Sequence, residues 1–273
     1  MTLALAVVAG VLIGLSVGAL GGGGSILAVP VLVFLLDQTP AEATTGSLVV
    51  VGVTALIGAA AAHRVGNVLL GRGVVFGTVA IGGAAIGAKA ASHVRGEVLL
   101  AAFAILLLLI GSLMAWRQFH HNRRGDSAGI RPRLDDPIVT FSPTFACNCP
   151  RALKLFLTAT AVGLLTGFLG VGGGFLVVPA LVLAMGLPMK YAAGTSLVVI
   201  TITSAAALMV RAGTGTDPDW GFVLALTVAS GVAAAVGASV ADRLDTARLQ
   251  GAFTILILGV SLYTAALAFP ALL

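Results

Sequence analysis

The sequence predicts an all-α polytopic membrane protein made of two homologous, inverted repeats, with about 8–10 membrane segments. Three observations predict it. Of 273 residues, 59% are hydrophobic and only 9% charged, whereas soluble domains carry roughly 25% charged residues. The apolar stretches are continuous runs near helix-spanning length, not the alternating segments of an outer-membrane barrel. A cluster of glycines followed by an apolar run and a proline occurs twice, as Gly21-Gly22-Gly23-Gly24-Ser25 before Pro30 and as Gly170-Val171-Gly172-Gly173-Gly174 before Pro179.

Each half opens on a Gly-broken helix or re-entrant hairpin. Residues 3–20 are apolar and rich in Gly and Ala. A glycine inside a helix costs about 1 kcal/mol relative to alanine, so four in a row mark a deliberate break. The apolar piece from Ile26 to Leu36 would rise only about 16 Å as a helix, too short for a hydrocarbon core of roughly 30 Å. Residues 3–36 therefore form either a long span plus a short one or a hairpin of half-helices meeting inside the membrane. The first Lys or Arg is Arg64. Without a positive n-region the N-terminal run reads as a mature membrane segment rather than a cleaved signal.

Three full spans follow, at about 43–62, 73–92 and 98–116, by hydropathy and length. The first repeat covers 1–116. Residues 117–151 are the only long polar stretch, with Arg117, Arg123, Arg124, Arg131, Arg133 and Arg151. They read as a linker, and 152–273 as the second repeat, with spans at about 192–210, 221–241 and 249–269. At an offset of 149 (163 − 14), ten of the 17 positions from Gly14 to Pro30 are identical in Gly163 to Pro179. The same offset places Ser47-Leu-Val-Val50 on Ser196-Leu-Val-Val199. Apolar composition alone would not put two glycine clusters and two prolines in register, and transporters are commonly built from such repeats.

Charge sets the orientation. The linker and Lys154 together hold seven of the 15 basic residues, and the positive-inside rule places them in the cytoplasm. The Arg64/Arg72 and Arg243/Arg248 loops then fall inside, and the Asp37/Glu42 turn and the Arg211–Asp217–Asp219 loop outside. Lys89 and Arg95 run against this. An odd number of crossings per half makes the repeats inverted, whereas four would make them parallel. The net charge of +5 is a topology signal and not a nucleic-acid footprint.

The breaks carry the chemistry. Lipid tolerates a broken helix only where the break is buried or lines a cavity. A helix restarting there offers free N–H groups and the positive end of its dipole, and glycine lets a ligand approach the backbone. Two such restarts facing each other make an anion site without a fixed cation. The predicted substrate-binding residues are Gly22, Gly23, Gly24 and Ser25 in the first half and Gly172, Gly173 and Gly174 in the second. Thr45, Gly46 and Ser47 with Gly194, Thr195 and Ser196, at the start of the next span in each half, would complete the cage. The plainer reading is that the glycines allow close helix packing and the hydroxyls cap helices.

The pattern Gly167-x-Leu-Gly-x-Gly-Gly-Gly-x-Leu-x-Val-Pro179, with Ala193-Gly-Thr-Ser-Leu197 after it, resembles the TauE/SafE family of membrane permeases. The first half departs at Gly22, where the family has an aliphatic residue, and at Thr45-Gly46-Ser47. The resemblance spans nearly the whole chain. It implies transport of sulfite, an organosulfonate or a related sulfur-containing anion across the cytoplasmic membrane, without fixing substrate or direction.

Lys89, two to three residues inside a span end, could balance an anion or titrate in proton coupling, although such a lysine more often snorkels to the interface. His63 and His93 read as interfacial. Cys147 and Cys149 are too few and too close for a disulfide framework. No catalytic residue, metal site or cofactor motif emerges, and a Walker or Rossmann loop fails for want of a preceding strand. The expected partners are a small anionic substrate and the lipid bilayer, with no nucleic acid, and a homodimer is compatible. The expected function is a secondary anion transporter working by alternating access, with proton coupling an option. The competing class is an intramembrane enzyme or assembly factor. It would need an acid/base or metal constellation in the spans, which carry neither Asp nor Glu.

Overall fold

The computed structural model describes residues 2–36, 38–91, 94, 102, 105–116, 149–169, 174–211 and 218–268. Among them there is no strand. In the first half, α1 (Thr2–Leu20) ends in a 3-10 turn over Gly21–Gly24. There follow α2 (Ser25–Pro30), a π-helical turn over Val31–Leu35, α3 (Pro40–Arg64), α4 (Leu70–Ala91) and α5 (Ile105–Trp116). In the second half α6 (Cys149–Leu169) precedes α7 (Gly174–Pro179) and a π-helical turn over Ala180–Ala184. Then come α8 (Met189–Arg211), α9 (Trp220–Arg243) and α10 (Thr246–Ala268). The expected linker lies outside the described residues as far as residue 148, and so does most of the stretch joining α4 to α5.

Local chemistry explains the element ends. Pro40 opens α3, and Thr39 caps it in a reciprocal box with Glu42, Thr39 N–H to the carboxylate at 3.0 Å and Glu42 N–H to the hydroxyl at 3.4 Å. Asp219 caps α9, its carboxylate accepting from Gly221 N–H at 2.9 Å. Pro30 and Pro179 close α2 and α7. Proline has no N–H and crowds the carbonyl four residues back, and in both halves the helix widens into a π turn directly after it. Each π turn is closed the same way, Gln38 N–H to the Leu32 carbonyl and Leu187 N–H to the Leu181 carbonyl, both at 3.1 Å.

Among the described residues, five helical stretches are by length and composition apolar enough to cross a membrane: Leu5–Val33, Glu42–Arg64, Leu70–Gly87, Met189–Arg211 and Trp220–Ala241. Four shorter apolar helices accompany them, among them Gly174–Ala184 and Ala247–Tyr263. Large apolar side chains such as Val8, Leu12, Leu56, Val232 and Ile255 point outward. The interior packs apolar side chains but also buries hydroxyls, among them Ser25, Thr54, Thr195, Ser196, Ser204 and Ser230. An apolar exterior around a core that still holds hydroxyls suits lipid as solvent. The protein is a multi-pass α-helical membrane protein.

The packing is reciprocal between the halves. The most extensive helix pairs are α1 with α9 and α4 with α6, so the first helix of each half lies on the fourth segment-forming helix of the other. Glycines set both contacts. Gly14 sits against the Ser230 backbone and Gly18 against Ala234; Gly163 sits against Ala80 and Gly167 against Ala84. Gly237 meets Leu15 as Gly87 meets Leu164. Only a residue without a side chain permits such backbone-to-backbone approach. From these pairs α1 runs parallel to α9, and α6 to α4. By contrast α3 and α8 are antiparallel, Gly52 lying beside Ser204 and Gly58 beside Leu197. Thr54 and Ser230 share a buried hydrogen bond of 2.6 Å between α3 and α9.

Candidate functional site

The chain reverses at the first glycine cluster. Gly21 has φ +70°, the left-handed region that glycine enters without penalty. The 3-10 turn follows at once, and Gly24 ends up against α1. A Cβ placed on Gly24 would stand 2.5 Å from Val17 N and 2.6 Å from the Ile13 carbonyl oxygen. A continuing helix would separate residues 13 and 24 by about 16 Å. The chain has therefore doubled back. Leu32, further along, has returned to the first turns of α3, 3.6 Å from a Cβ placed on Gly46. Because α3 and α1 both run parallel to α9, α2 and its π turn carry the chain back to the end at which α1 began. The segment is a re-entrant hairpin, and the choice that the sequence left open is settled in its favour.

The second hairpin, α6 and α7, is arranged likewise. α6 and α8 both run parallel to α4, since Gly73 abuts Val198 and Thr195, and Gly77 abuts Ile202. α7 must return between them. Gly172 and Gly173 lie outside the described residues, as do Gly170 and Val171. Gly174, the first residue of α7, is buried.

The two breaks touch. A Cβ on Gly22 would collide with the Gly174 backbone. One on Gly174 would stand 2.8 Å from Gly22 Cα, 2.9 Å from Ser25 Oγ and 2.6 Å from Ile200 Cδ1. One on Gly21 would stand 2.5 Å from Ser196 Oγ and 2.6 Å from the Ala193 carbonyl oxygen. Gly21, Gly22, Ser25, Gly174 and Ser196 thus form one cluster where the hairpins cross, and a Cβ placed on Gly23 would stand 3.0 Å from the ring of Phe253. The cluster contains two hydroxyls and no ionisable side chain. Its other polar groups are the peptide units that the glycines leave without side chains.

The hydroxyls are held by their own helices. Ser25 Oγ donates to the Gly22 carbonyl at 2.6 Å, Ser196 Oγ to Ala193 at 2.7 Å and Ser47 Oγ to Thr44 at 2.9 Å. Each hydroxyl proton is committed three residues back, leaving the oxygen lone pairs facing outward from that bond. Thr195 Oγ1 accepts from Leu69 N–H at 3.1 Å and ties the α3–α4 turn to α8. Gly194 admits the Asn67 carbonyl into the same contact. Thr45 is buried, and Gly46 faces Val223 and Leu32. Neither hydroxyl run is a helix cap. Both lie inside helices, Thr44 five residues past the Thr39 cap and Gly194 five residues past Met189, where α8 begins.

The structure thus brings Gly22, Ser25, Gly174 and Ser196 together, keeps Gly23 and Gly24 in the same turn, and places Thr195 and Gly194 beside it on α8. Thr45, Gly46 and Ser47 line the start of α3 near the tail of the first hairpin. Lys89 is exposed in the last turn of α4, past the span Leu70–Gly87. A cation there suits the negative end of the helix dipole. Sequence reasoning passed over Gln38, which is buried beside Gly46. Comparison with Leu187, its counterpart at the same offset of 149 (187 − 38), would have singled it out.

Hairpins that enter a bundle of spanning helices and meet at bare backbone define a membrane transporter class, with helix breaks at the point of contact. The comparisons place the chain within that class. The family model for the sulfite exporter TauE/SafE matches residues 6–264, and the chain belongs to this membrane transporter family. A probable membrane transporter protein of Xylella fastidiosa strain Temecula1 is 30% identical over 264 residues, covering 93% of this chain and 91% of the relative. Its counterpart from strain 9a5c is 29% identical over 257 residues, with the same coverage. The probable membrane transporter protein YunE of Bacillus subtilis is 28% identical over 254 residues, covering 90% of this chain and 91% of the relative. No solved structure matches the chain.

Proposed function

We propose that the protein is a secondary transporter that moves a small sulfur-containing anion, sulfite or an organosulfonate, across the cytoplasmic membrane by alternating access. The observation that carries this reading is the backbone contact between Gly22 and Gly174. Peptide groups there carry no side chains, so an oxyanion can approach them closely. In the touching arrangement the hairpins block the route between them. A ligand seated there must part them, and parting them by rocking one half against the other opens the route to one side at a time.

The reciprocal packing supports an inverted duplication. Equivalent helices α3 and α8 cross antiparallel, and α1 on α9 is matched by α6 on α4. A two-fold axis lying in the membrane plane relates halves in that manner. With the basic linker in the cytoplasm, both termini lie outside. Protons are the favoured coupling ion, because the one carboxylate in the five spans, Glu42 at the start of Glu42–Arg64, is engaged in the Thr39 cap and leaves none to hold sodium.

The test is flux through purified protein in proteoliposomes, scored for sulfite, sulfoacetate, taurine, sulfate and chloride, with and without a pH gradient. Saturable flux of sulfite or an organosulfonate above that of empty liposomes is the expected result. Flux of chloride alone would refute the sulfur-anion assignment, and flux of none would refute the transport reading of the site.

A further inference from the structure

Gln38 is an anomaly in the bundle. It is 8% exposed, and neither its Oε1 nor its Nε2 has a hydrogen-bond partner. Among the described residues no other side chain leaves two buried polar atoms unsatisfied. A buried primary amide without partners is costly, and native folds rarely retain one without a use.

Its place in the fold is specific. Gln38 follows the π turn of the first hairpin and precedes the Thr39 cap of α3, with its backbone N–H spent on Leu32. Its Oε1 lies 3.8 Å from where a Cβ on Gly46 would stand. That notch is also faced by Leu32 and Val223. The second half repeats the turn with the same backbone hydrogen bond and fills the equivalent position with Leu187, 6% exposed. The fold therefore does not need an amide there. One half carries it and the other does not, so the two hairpin turns differ in chemistry.

We infer that Gln38 is a specificity-determining residue for the transported anion, reading ligands that carry a hydrogen-bond donor next to their anionic oxygens. The inference rests on the anion-transport reading above. The amide offers two N–H donors and a carbonyl acceptor from one rigid plane. An oxyanion satisfies the donors. Only a ligand with its own N–H or O–H, an amine-bearing sulfonate or a protonated oxyanion, satisfies the acceptor as well. A fully deprotonated ligand leaves Oε1 unpaired, and sites built to hydrogen-bond a substrate reject analogues that lack the group.

The test compares matched anions in proteoliposomes: taurine against sulfoacetate, and sulfite at a pH where it carries a proton against sulfate. Gln38→Leu copies the second half. It should lower the preference for the donor-bearing member of the transported pair by about tenfold, the worth of one or two hydrogen bonds, while its thermal unfolding temperature in detergent stays level or rises. Gln38→Met provides the same readout should the leucine variant not insert. A wild-type preference retained in a folded variant would overturn the inference and leave the transporter reading intact. Loss of preference together with a fall in unfolding temperature would overturn it in favour of a structural role. Absence of flux for all four anions in the wild type would overturn the anion reading and this inference with it.

Discussion

Gly22→Val is expected to reduce transport by roughly 100-fold while the protein still inserts into the membrane. The Cβ alone would collide with the Gly174 backbone, and a backbone cannot rotate aside as a side chain can. Overpacking of this kind costs about 3 kcal/mol. That strain falls only on the arrangement in which the hairpins touch. At tenfold per 1.4 kcal/mol, it makes that arrangement about 100-fold less accessible. A cycle that must pass through it slows accordingly. Gly66→Val is the control, since Gly66 lies in the α3–α4 turn with open space around it, although its φ of +80° adds local strain. Initial rates in proteoliposomes, normalised to protein inserted, give the comparison. A Gly22→Val variant with wild-type flux would show that the crossing does not gate transport.

Gly14→Leu and Gly163→Leu are expected to lower stability severely and to the same extent. A Cβ on Gly14 would stand 2.7 Å from Ser230 Cα, and one on Gly163 2.9 Å from Ala80 Cα. Each substitution pries a hairpin arm from its partner in the other half. In lipid the association of such helices depends on this close approach, because no hydrophobic drive holds them together. At about 3 kcal/mol each, the unfolding temperature in detergent should fall by roughly 10 °C. Gly82→Leu, with nothing near its Cβ position, should stay within a few degrees of wild type by the same scale. The equality of the two effects matters most. It follows from reciprocal packing of α1 on α9 and α6 on α4, and a large effect at one position alone would break the proposed symmetry.

Much of this arrangement was legible in the chain. Glycine runs inside apolar segments are expensive, so Gly21–Gly24 announced a break. The offset of 149 paired Ser25 with Gly174 and Pro30 with Pro179, and the structure gives each pair the same element end. The reversal of direction was not legible. It depends on the left-handed φ of Gly21, and any of the four glycines could have adopted it. The role of the Thr44–Ser47 hydroxyls was obscured because serine and threonine suit caps and helix interiors alike. The box of Thr39 with Glu42 claims the cap, leaving Ser47 to bond back within α3. Gln38 was hidden by its neighbours. A glutamine between Asp37 and Pro40 reads as an exposed turn residue, and only the fold shows that the return of the hairpin buries it. Gly172, Gly173, Cys147 and the linker as far as residue 148 lie outside the described residues.

The central claim is that the crossing of the two hairpins must open for transport. Paired cysteines test it most directly. A Cβ on Gly174 would lie 2.9 Å from Ser25 Oγ, within the reach of a disulfide. Ser25→Cys with Gly174→Cys, in a background lacking Cys147 and Cys149, should cross-link under oxidation. Because a Cβ on Gly174 crowds Gly22 Cα at 2.8 Å, the reduced double variant starts from a lowered flux in proteoliposomes; cross-linking should stop that flux, and reductant should restore it to the rate of the uncross-linked double variant. A fully cross-linked protein that still carries the anion at that rate would contradict the account.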